Sequence, residues 1–469
     1  MPNSIAQNGV AYVRKEMSVD MPPPATEVGV IGWMRKNLFS SIPYTILTLA
    51  SIYVLWLIIP PLLKFGIFDA AWNGQALVTE YGLDRLDRQI CTTPEQGGIQ
   101  ASGWMGACWP YIGAYLNQFI YGRYPVDQYW RVNIVYAMFV LGLVPMLIPS
   151  LPFKRENAIF LFVIFPVAAF VLLTGGHIEL SGFLLPDSWM APSLGKFVVD
   201  FALLAFAFAA IVFLVAKGAE SNGMKAAIGV IAFFAVVLIV LLICSTNFGL
   251  EHVETELWGG LLVTLVIAIT GIVASLPLGI LLALGRRSQM PVVKLFSVIF
   301  IEFWRGIPLI TVLFMSSVML PLFLPEGVTF DKLLRALIGV ALFSAAYMAE
   351  VVRGGIQALP KGQYEGAMAL GLSYWQMMRM IILPQALKLV IPGIVNSFIA
   401  LFKDTTLVLI IGLFDFLGQI QSSYSDSSWA SPVQSLTGYL FAACVYWFFC
   451  FSMSRYSIFM ERRLDTGHR

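Results

Sequence analysis

The sequence predicts an all-α membrane protein with about ten transmembrane helices. Three observations lead there. Of 469 residues, 58% are hydrophobic and 12% are charged, against roughly 25% charged in an ordinary soluble domain. The apolar residues gather in runs near the roughly 20 residues that cross about 30 Å of hydrocarbon. Lys and Arg recur in alternate connections, the bias that orients a multi-pass chain. Backbone groups in lipid must bond within their own segment, so the runs are read as helices.

A charged, Pro-rich tail comes first, ending in the stretch DMPPPATE; the first apolar run starts near residue 42, too late for a signal peptide of ordinary form. The expected spans are 42–63, 132–150, 157–174, 197–216, 225–244, 257–284, 293–323, 332–352, 391–413 and 435–460. Pro145, Pro149, Pro152 and Pro166 interrupt the second and third. Arg35 and Lys36, Lys154 and Arg155, Lys217 and Lys225, Arg286 and Arg287, Lys361 and Lys388, and Arg462 and Arg463 all fall on one side of such a bundle. That side is expected to be cytoplasmic, with both termini and the 353–390 connection. Arg85, Arg88, Arg123 and Arg131 break the rule, but they sit in a long loop, which reports topology poorly. The expected organisation is a tail (1–41), an N-terminal extension of about five helices with an exterior loop at 64–131 (42–245), and a core (246–469) with a cytoplasmic loop at 359–390.

The exterior loop holds Cys91 and Cys108. An oxidising compartment favours a disulfide between them, but spacing alone does not show that the geometry fits, so bonded and free forms both stand. Cys244, Cys444 and Cys450 lie in apolar runs and read as packing residues. His177, His252 and His468 are scattered, and no CxxC or His/Cys cluster suggests a metal. A net charge of +2 gives nucleic-acid binding no support.

The stretch EGAMALGLSYWQMMRMIILP, residues 365–384, is too interrupted to cross a bilayer and too apolar for a free loop. It reads as two short helices. The first runs over about 363–370 and stops at Gly371, where a left-handed residue is needed. The second starts at Ser373, with Gln376 at capping-box spacing, and Pro384 limits it. Met368, Leu370, Met377, Met378 and Met380 are expected to be exposed, forming an adaptable knob for a partner's groove. A helical pair lying on the membrane surface is the competing reading.

Here the residues carry a resemblance. Membrane subunits of bacterial ABC importers share a cytoplasmic signature, E-A-A-x3-G-x9-I-x-L-P. The chain is similar to it at Glu365, Gly366, Ala367, Gly371, Ile381, Leu383 and Pro384, with Gly366 in place of the first alanine. The segments FIEFWRGIPLI, YMAEVVRGGIQALPKGQYEGAMALGLS and RMIILPQALKLVIPGIVNSFIALFKDTTLV resemble the permeases for polar and general L-amino acids over about 250–469. The resemblance implies a type I permease core in the last five helices. It also implies a partner ATPase in two copies, whose cleft takes the signature loop, and a second homologous permease subunit. A periplasmic amino-acid-binding protein completes the implied set, and the location is the bacterial inner membrane. No cofactor is expected on this chain; ATP and Mg belong to the ATPase.

An ionisable side chain inside a span faces a cavity or a partner. Glu350 and Arg353 share one face of the eighth span, as Glu302 and Arg305 do in the seventh, and Lys403, Asp404, Thr405 and Thr406 interrupt the ninth. A zwitterionic amino acid needs an anionic contact, a cationic contact and hydroxyl donors. Glu350, Arg353, Lys403, Asp404, Thr405 and Thr406 are therefore the candidate substrate residues, and the resemblance places these segments near the cavity. The bland alternative is intrahelical ion pairing with snorkelling side chains.

No GxxxxGK[ST] phosphate loop is present, so the energy source is expected on another chain. The expected function is L-amino-acid import by alternating access. The alternative is an ion-coupled secondary amino-acid transporter, which predicts an ion path and an internal repeat; no convincing inverted repeat is found. An enzyme would need a nucleophile–base or metal constellation, and none is seen.

Overall fold

The computed structural model describes residues 29–464 apart from 177, 179, 181, 183, 219–222 and 324–330. The tail up to residue 28, His177, and the C-terminal residues with His468 lie outside the described residues. Among the described residues the regular structure is helical, with isolated β-bridges and no strand.

The chain divides into two compact units. One holds the chain up to Ala70 with Gly103–Ala107. It contains α1 (Gly29–Asn37) and α2 (Ile42–Phe68). The side chains of α2, Trp56, Leu57 and Ile58 among them, are exposed, as suits a helix solvated by hydrocarbon. Its end is fixed locally: Trp104 Nε1 donates to the Asp69 carbonyl at 2.7 Å, and Lys64 pairs with Asp69 at 3.8 Å.

The other unit carries the rest: α3 (Gly74–Tyr81), α4 (Trp109–Tyr121), α5 (Val126–Leu147), α6 (Lys154–Thr174), α7 (Leu194–Gly218), α8 (Gly223–Ser245), α9 (Gly260–Arg286), α10 (Pro291–Gly306), α11 (Leu309–Phe323), α12 (Lys332–Ala358), α13 (Lys361–Ala369), α14 (374–389), α15 (Ile391–Ile411), α16 (Phe416–Ser422) and α17 (Gln434–Leu464). Among the described residues nine helices are long and apolar enough to span, ten with α10 and α11 as one broken crossing.

That crossing differs from the straight 293–323 helix expected. α10 and α11 are bent by 102°. The residue before a proline is pushed out of the helical region, and Ile307, preceding Pro308, is extended at φ −112°, ψ 134°. Prolines elsewhere are absorbed. Phe160–Ile164 and Met378–Ile382 are π-turns, each placing the following proline, Pro166 or Pro384, at the start of a renewed α segment. The wider turn accommodates the missing N–H. Pro384 therefore does not limit the second short helix, which continues to Leu389; this corrects the sequence reading. At the end of α5, Lys154 Nζ donates to the carbonyls of Pro145 and Ile148, a cation where the helix dipole favours one.

α9 and α12 pack at the centre of this unit. A Cβ on Gly279 would lie 2.7 Å from Met348 Cγ, and one on Gly271 would lie 2.8 Å from Leu401 Cδ2 and 3.0 Å from Val340 Cγ1. Missing side chains thus let backbones approach, as at other membrane helix interfaces. Two apolar clusters follow. One joins Val132, Phe165, Val263, Leu313, Val340 and Val408; the other joins Ala283, Ile301, Met348, Val352, Ile356 and Ile382.

Candidate functional site

The signature loop lies at the α12 end that carries Ala358. α13 closes at Gly371, whose φ of +69° is the left-handed turn a side chain resists. Ser373 then caps α14: its hydroxyl accepts the Gln376 N–H at 3.4 Å, and Gln376 Oε1 accepts the Ser373 N–H at 2.9 Å. Ala367 is buried, whereas Glu365, Gly366, Gly371 and Pro384 are exposed and Leu383 is half-buried. The outward apolar residues are Met368, Leu370, Tyr374, Trp375 and Met380, with Leu370 76% and Trp375 66% exposed. Met377 and Met378 are buried against Ile382 and Ala367. Their expected exposure is corrected: they point inward and fasten the loop to the bundle. The exposed face is therefore set by Met368 and Leu370 from one helix and Trp375 and Met380 from the next.

Beside this loop three arginines surround two glutamates. Arg286 Nη1 lies 2.8 Å from both Glu302 Oε1 and Glu350 Oε1. Arg353 donates to Glu350 Oε2 from Nη2 at 2.6 Å and from Nε at 3.0 Å, and to Gln357 at 2.8 Å. Arg305 lies 3.7 Å from Glu350 and over the Tyr347 ring at 5.7 Å. Glu350 and Arg353 thus form the intrahelical pair allowed from the sequence. Glu302 and Arg305 instead pair with other helices, tying α9, α10 and α12 together.

Lys403 and Asp404 lie elsewhere. Val351 meets Gly393, and Val340 meets Leu401 across Gly271, so Lys403 sits about 15 Å along the bundle from the Glu350 level, at 1.5 Å per residue. Glu350 and Arg353 are engaged in the ion-pair cluster, and the hydrogen bonds and ion pairs among the described residues do not link them to Lys403, Asp404, Thr405 or Thr406. Thr405 is buried and donates to Phe402 O at 2.8 Å, and Thr406 donates to Lys403 O at 2.9 Å. Lys403 is exposed and has no ion pair among the described residues.

At the opposite end of the unit, Cys91 and Cys108 form a disulfide with Cα atoms 5.7 Å apart. The bonded segment rests on α16 and the turn after it. Tyr111 Oη meets Ser423 Oγ at 2.5 Å, Gln118 donates to Gln419 at 3.1 Å, the Tyr115 hydroxyl donates to Asp426, and the Cys108 N–H donates to Thr437 at 3.0 Å. Asp415 caps α16, accepting the Gly418 N–H at 3.0 Å and the Tyr446 hydroxyl at 3.1 Å. Burial pushes its carboxyl above the usual range. Sequence reasoning passed over Asp415, and it read Arg286 only as a topology marker. Neither carries a local pattern that betrays its partners. No group of three or more His, Cys, Asp or Glu suited to a metal occurs among the described residues.

Residues 275–466 match the family model described as "Binding-protein-dependent transport system inner membrane component". The chain is 45% identical over 435 residues to the inner membrane amino-acid ABC transporter permease protein YhdY of Escherichia coli (strain K12), covering 93% of each. It is 45% identical over 471 residues to the glutamate/glutamine/aspartate/asparagine transport system permease protein BztC of Rhodobacter capsulatus, covering 98% of this chain and 99% of that one. The glutamate/aspartate import permease protein GltK of Escherichia coli O6:H1 is 34% identical over 209 residues, 91% of its own length but 44% of this chain. With its helical bundle, signature loop and full-length likeness to two such permeases, the chain belongs to the amino-acid ABC transporter permeases, multi-pass proteins of the bacterial inner membrane.

Proposed function

We propose that the chain is the permease subunit of an importer that carries polar L-amino acids into the cytoplasm by alternating access. The exposed apolar face of Met368, Leu370, Trp375 and Met380 on two capped helices carries this reading. Such a face in water needs a cover, and the signature residues around it name a partner ATPase. Two ATPase copies, holding ATP and Mg, drive the cycle, and this chain needs no cofactor. A second homologous permease subunit and a periplasmic amino-acid-binding protein complete the assembly. The signature loop and both termini face the cytoplasm, and the disulfide segment faces the periplasm. The chain divides into a tail (1–41), an N-terminal extension (42–245) and a permease core (246–469); the family match beginning at 275 supports the core.

The name of BztC, a permease for glutamate, glutamine, aspartate and asparagine, supports acidic amino acids and their amides as the substrate class. Lys403 supports it too, because an exposed cation within a span, with no ion pair among the described residues, suits a carboxylate or a carboxylate-bearing partner. Lys403 and Asp404 then border the substrate path, while Glu350 and Arg353 tie helices at its cytoplasmic end. The test is co-purification with the ATPase from native membranes, then ATP-dependent uptake of L-glutamate and L-glutamine into vesicles. Leu370→Asp should release the ATPase. Uptake by this chain alone, driven by an ion gradient, would establish the secondary-transporter reading instead.

A further inference from the structure

The signature helix α13 is held inward by apolar contacts through Ala367 and by the polar contacts of one side chain, Tyr364. Tyr364 is half-buried and lies beside the buried Ala367, three positions on along the same helix. Its hydroxyl donates to the Ile356 carbonyl in the last turns of α12 at 3.0 Å, and accepts from Arg287 Nη1 at 3.2 Å. The Arg287 guanidinium also covers the Tyr364 ring, 5.6 Å from its centroid, a stacked cation that only a planar group supplies well. The other side-chain hydrogen bond of α13 among the described residues, Gln385 to Gln363 at 3.1 Å, stays within the signature loop.

Arg287 caps the C-terminal end of α9 and directly follows Arg286. Arg286 holds Glu302 of α10 and Glu350 of α12. One chain of contacts therefore runs from the docking helix through Tyr364 to Arg287, then through Arg286 to three spanning helices. The apolar contacts of the loop bind it chiefly to α12 and its own turns through Ala367, Met377 and Ile382. Those contacts slide easily, whereas a stacked and hydrogen-bonded arginine fixes both distance and orientation.

We propose that Tyr364 is a positioning residue that transmits movement of the docked ATPase to the C-terminal end of α9, with Arg287 as its receiver. This rests on the proposed docking of the ATPase on the signature loop. Removing the link leaves the docking face intact but lets α13 move without taking α9 with it. Nucleotide hydrolysis then proceeds while the spanning helices lag.

The test uses the whole assembly in proteoliposomes, with L-glutamine and L-glutamate as probes and uptake per ATP hydrolysed as the readout. Tyr364→Phe keeps the ring and loses both hydrogen bonds; the ratio should fall at least about fivefold, the factor of a single neutral hydrogen bond. Tyr364→Ala should lower it further, and Arg287→Lys should recover more of it than Arg287→Ala. The double variant Arg287→Ala/Tyr364→Phe should be little worse than Arg287→Ala alone, as for residues sharing one link. ATPase co-purification should stay unchanged throughout, with Leu370→Asp as the control that abolishes it. An unchanged ratio in Tyr364→Phe, strict additivity of the pair, or loss of ATPase from Tyr364→Phe would each overturn the proposal. If Leu370→Asp retained the ATPase, the docking reading itself would fail, a separate result.

Discussion

The two ends of the larger unit solve the problem of a helical bundle's rim in opposite ways. At the signature-loop end, buried methionines and the Arg287–Tyr364 contact hold the loop from behind while Met368, Leu370, Trp375 and Met380 are left outward. At the other end, the chain covers itself. The segment closed by Cys91 and Cys108 leads into α4, which lies over α16 and the turn after it, and hydroxyl and amide groups with the Asp426 carboxylate make the contacts. An exposed apolar face is stable in the assembly only when another chain supplies the cover, whereas an end filled from the same chain keeps its stability without one. The first end is built for exchange of force with a partner, the second for holding a fixed geometry.

The largest expected effect is at the open end. A buried aspartate in place of Leu370, at the centre of the docking face, should weaken ATPase association about 30-fold or more, the scale of an interface hot spot. Its thermal stability alone should barely change, because Leu370 is exposed within the chain. Opposite behaviour is expected of Cys91→Ser/Cys108→Ser. The two cysteines are 17 residues apart, and a loop near that length is stabilised by about 3 kcal/mol when bonded. Protease nicking within 71–128 should accelerate on the order of 100-fold, with ATPase co-purification unchanged. If the cysteine variant also lost the ATPase, the two ends would not be independent.

The open end was far more legible in the sequence than the closed one, and the reason is physical. A signature loop is a local device: Gly371 needs a left-handed backbone, Ser373 and Gln376 cap each other across three positions, and both constraints appear in consecutive letters. The closed end is made of distant pairs. Tyr111 meets Ser423 and Gln118 meets Gln419, contacts more than 300 positions apart that no window reveals. The same difference separates Glu350–Arg353, three apart and paired, from Arg286–Glu302, paired across helices. Spacing recognises pairs along a helix, but it cannot say that Lys403 lies a different depth from Glu350. Hydrophobicity alone made Met377 and Met378 look like Met380; only the helix phase set by the π-turn at Met378–Ile382 separates them. The Ile307–Pro308 break was written in the sequence as a proline, yet Pro384 is equally a proline and leaves its helix running.

A smaller effect sharpens the open end. Gly366 stands where the resemblance expects alanine, and a Cβ there would meet nothing within 4 Å. Glycine inside a helix costs about 1 kcal/mol relative to alanine, so Gly366→Ala should stabilise α13 by up to about that amount. Amide hydrogen exchange over residues 361–369 should slow up to about fivefold, with uptake per ATP equal or higher. Slower uptake with a firmer helix would mean that α13 must bend during the cycle.

The smallest effect concerns the closed end and acid. The hydroxyl that Tyr115 donates, followed by the Ser428 N–H at 2.8 Å, holds the Asp426 carboxyl below its ordinary value of 3.8. A group with a depressed folded pKa stabilises the fold above its unfolded value, and that contribution is lost as the pH falls through the folded value. The Tyr115–Asp426 contact should therefore be at full strength at neutral pH and fade only in strong acid. Because Asp426 lies near the surface, solvent screens the pair and the contribution is modest. Comparing the native chain with Tyr115→Phe isolates it. The melting-temperature difference should be constant from neutral pH down toward 3.8 and shrink below that. A difference that instead vanished near pH 6, or that persisted unchanged into strong acid, would show that a group other than Asp426 holds Tyr115. The closed end would then owe its fixed geometry to the disulfide and the Tyr111 and Gln118 contacts alone.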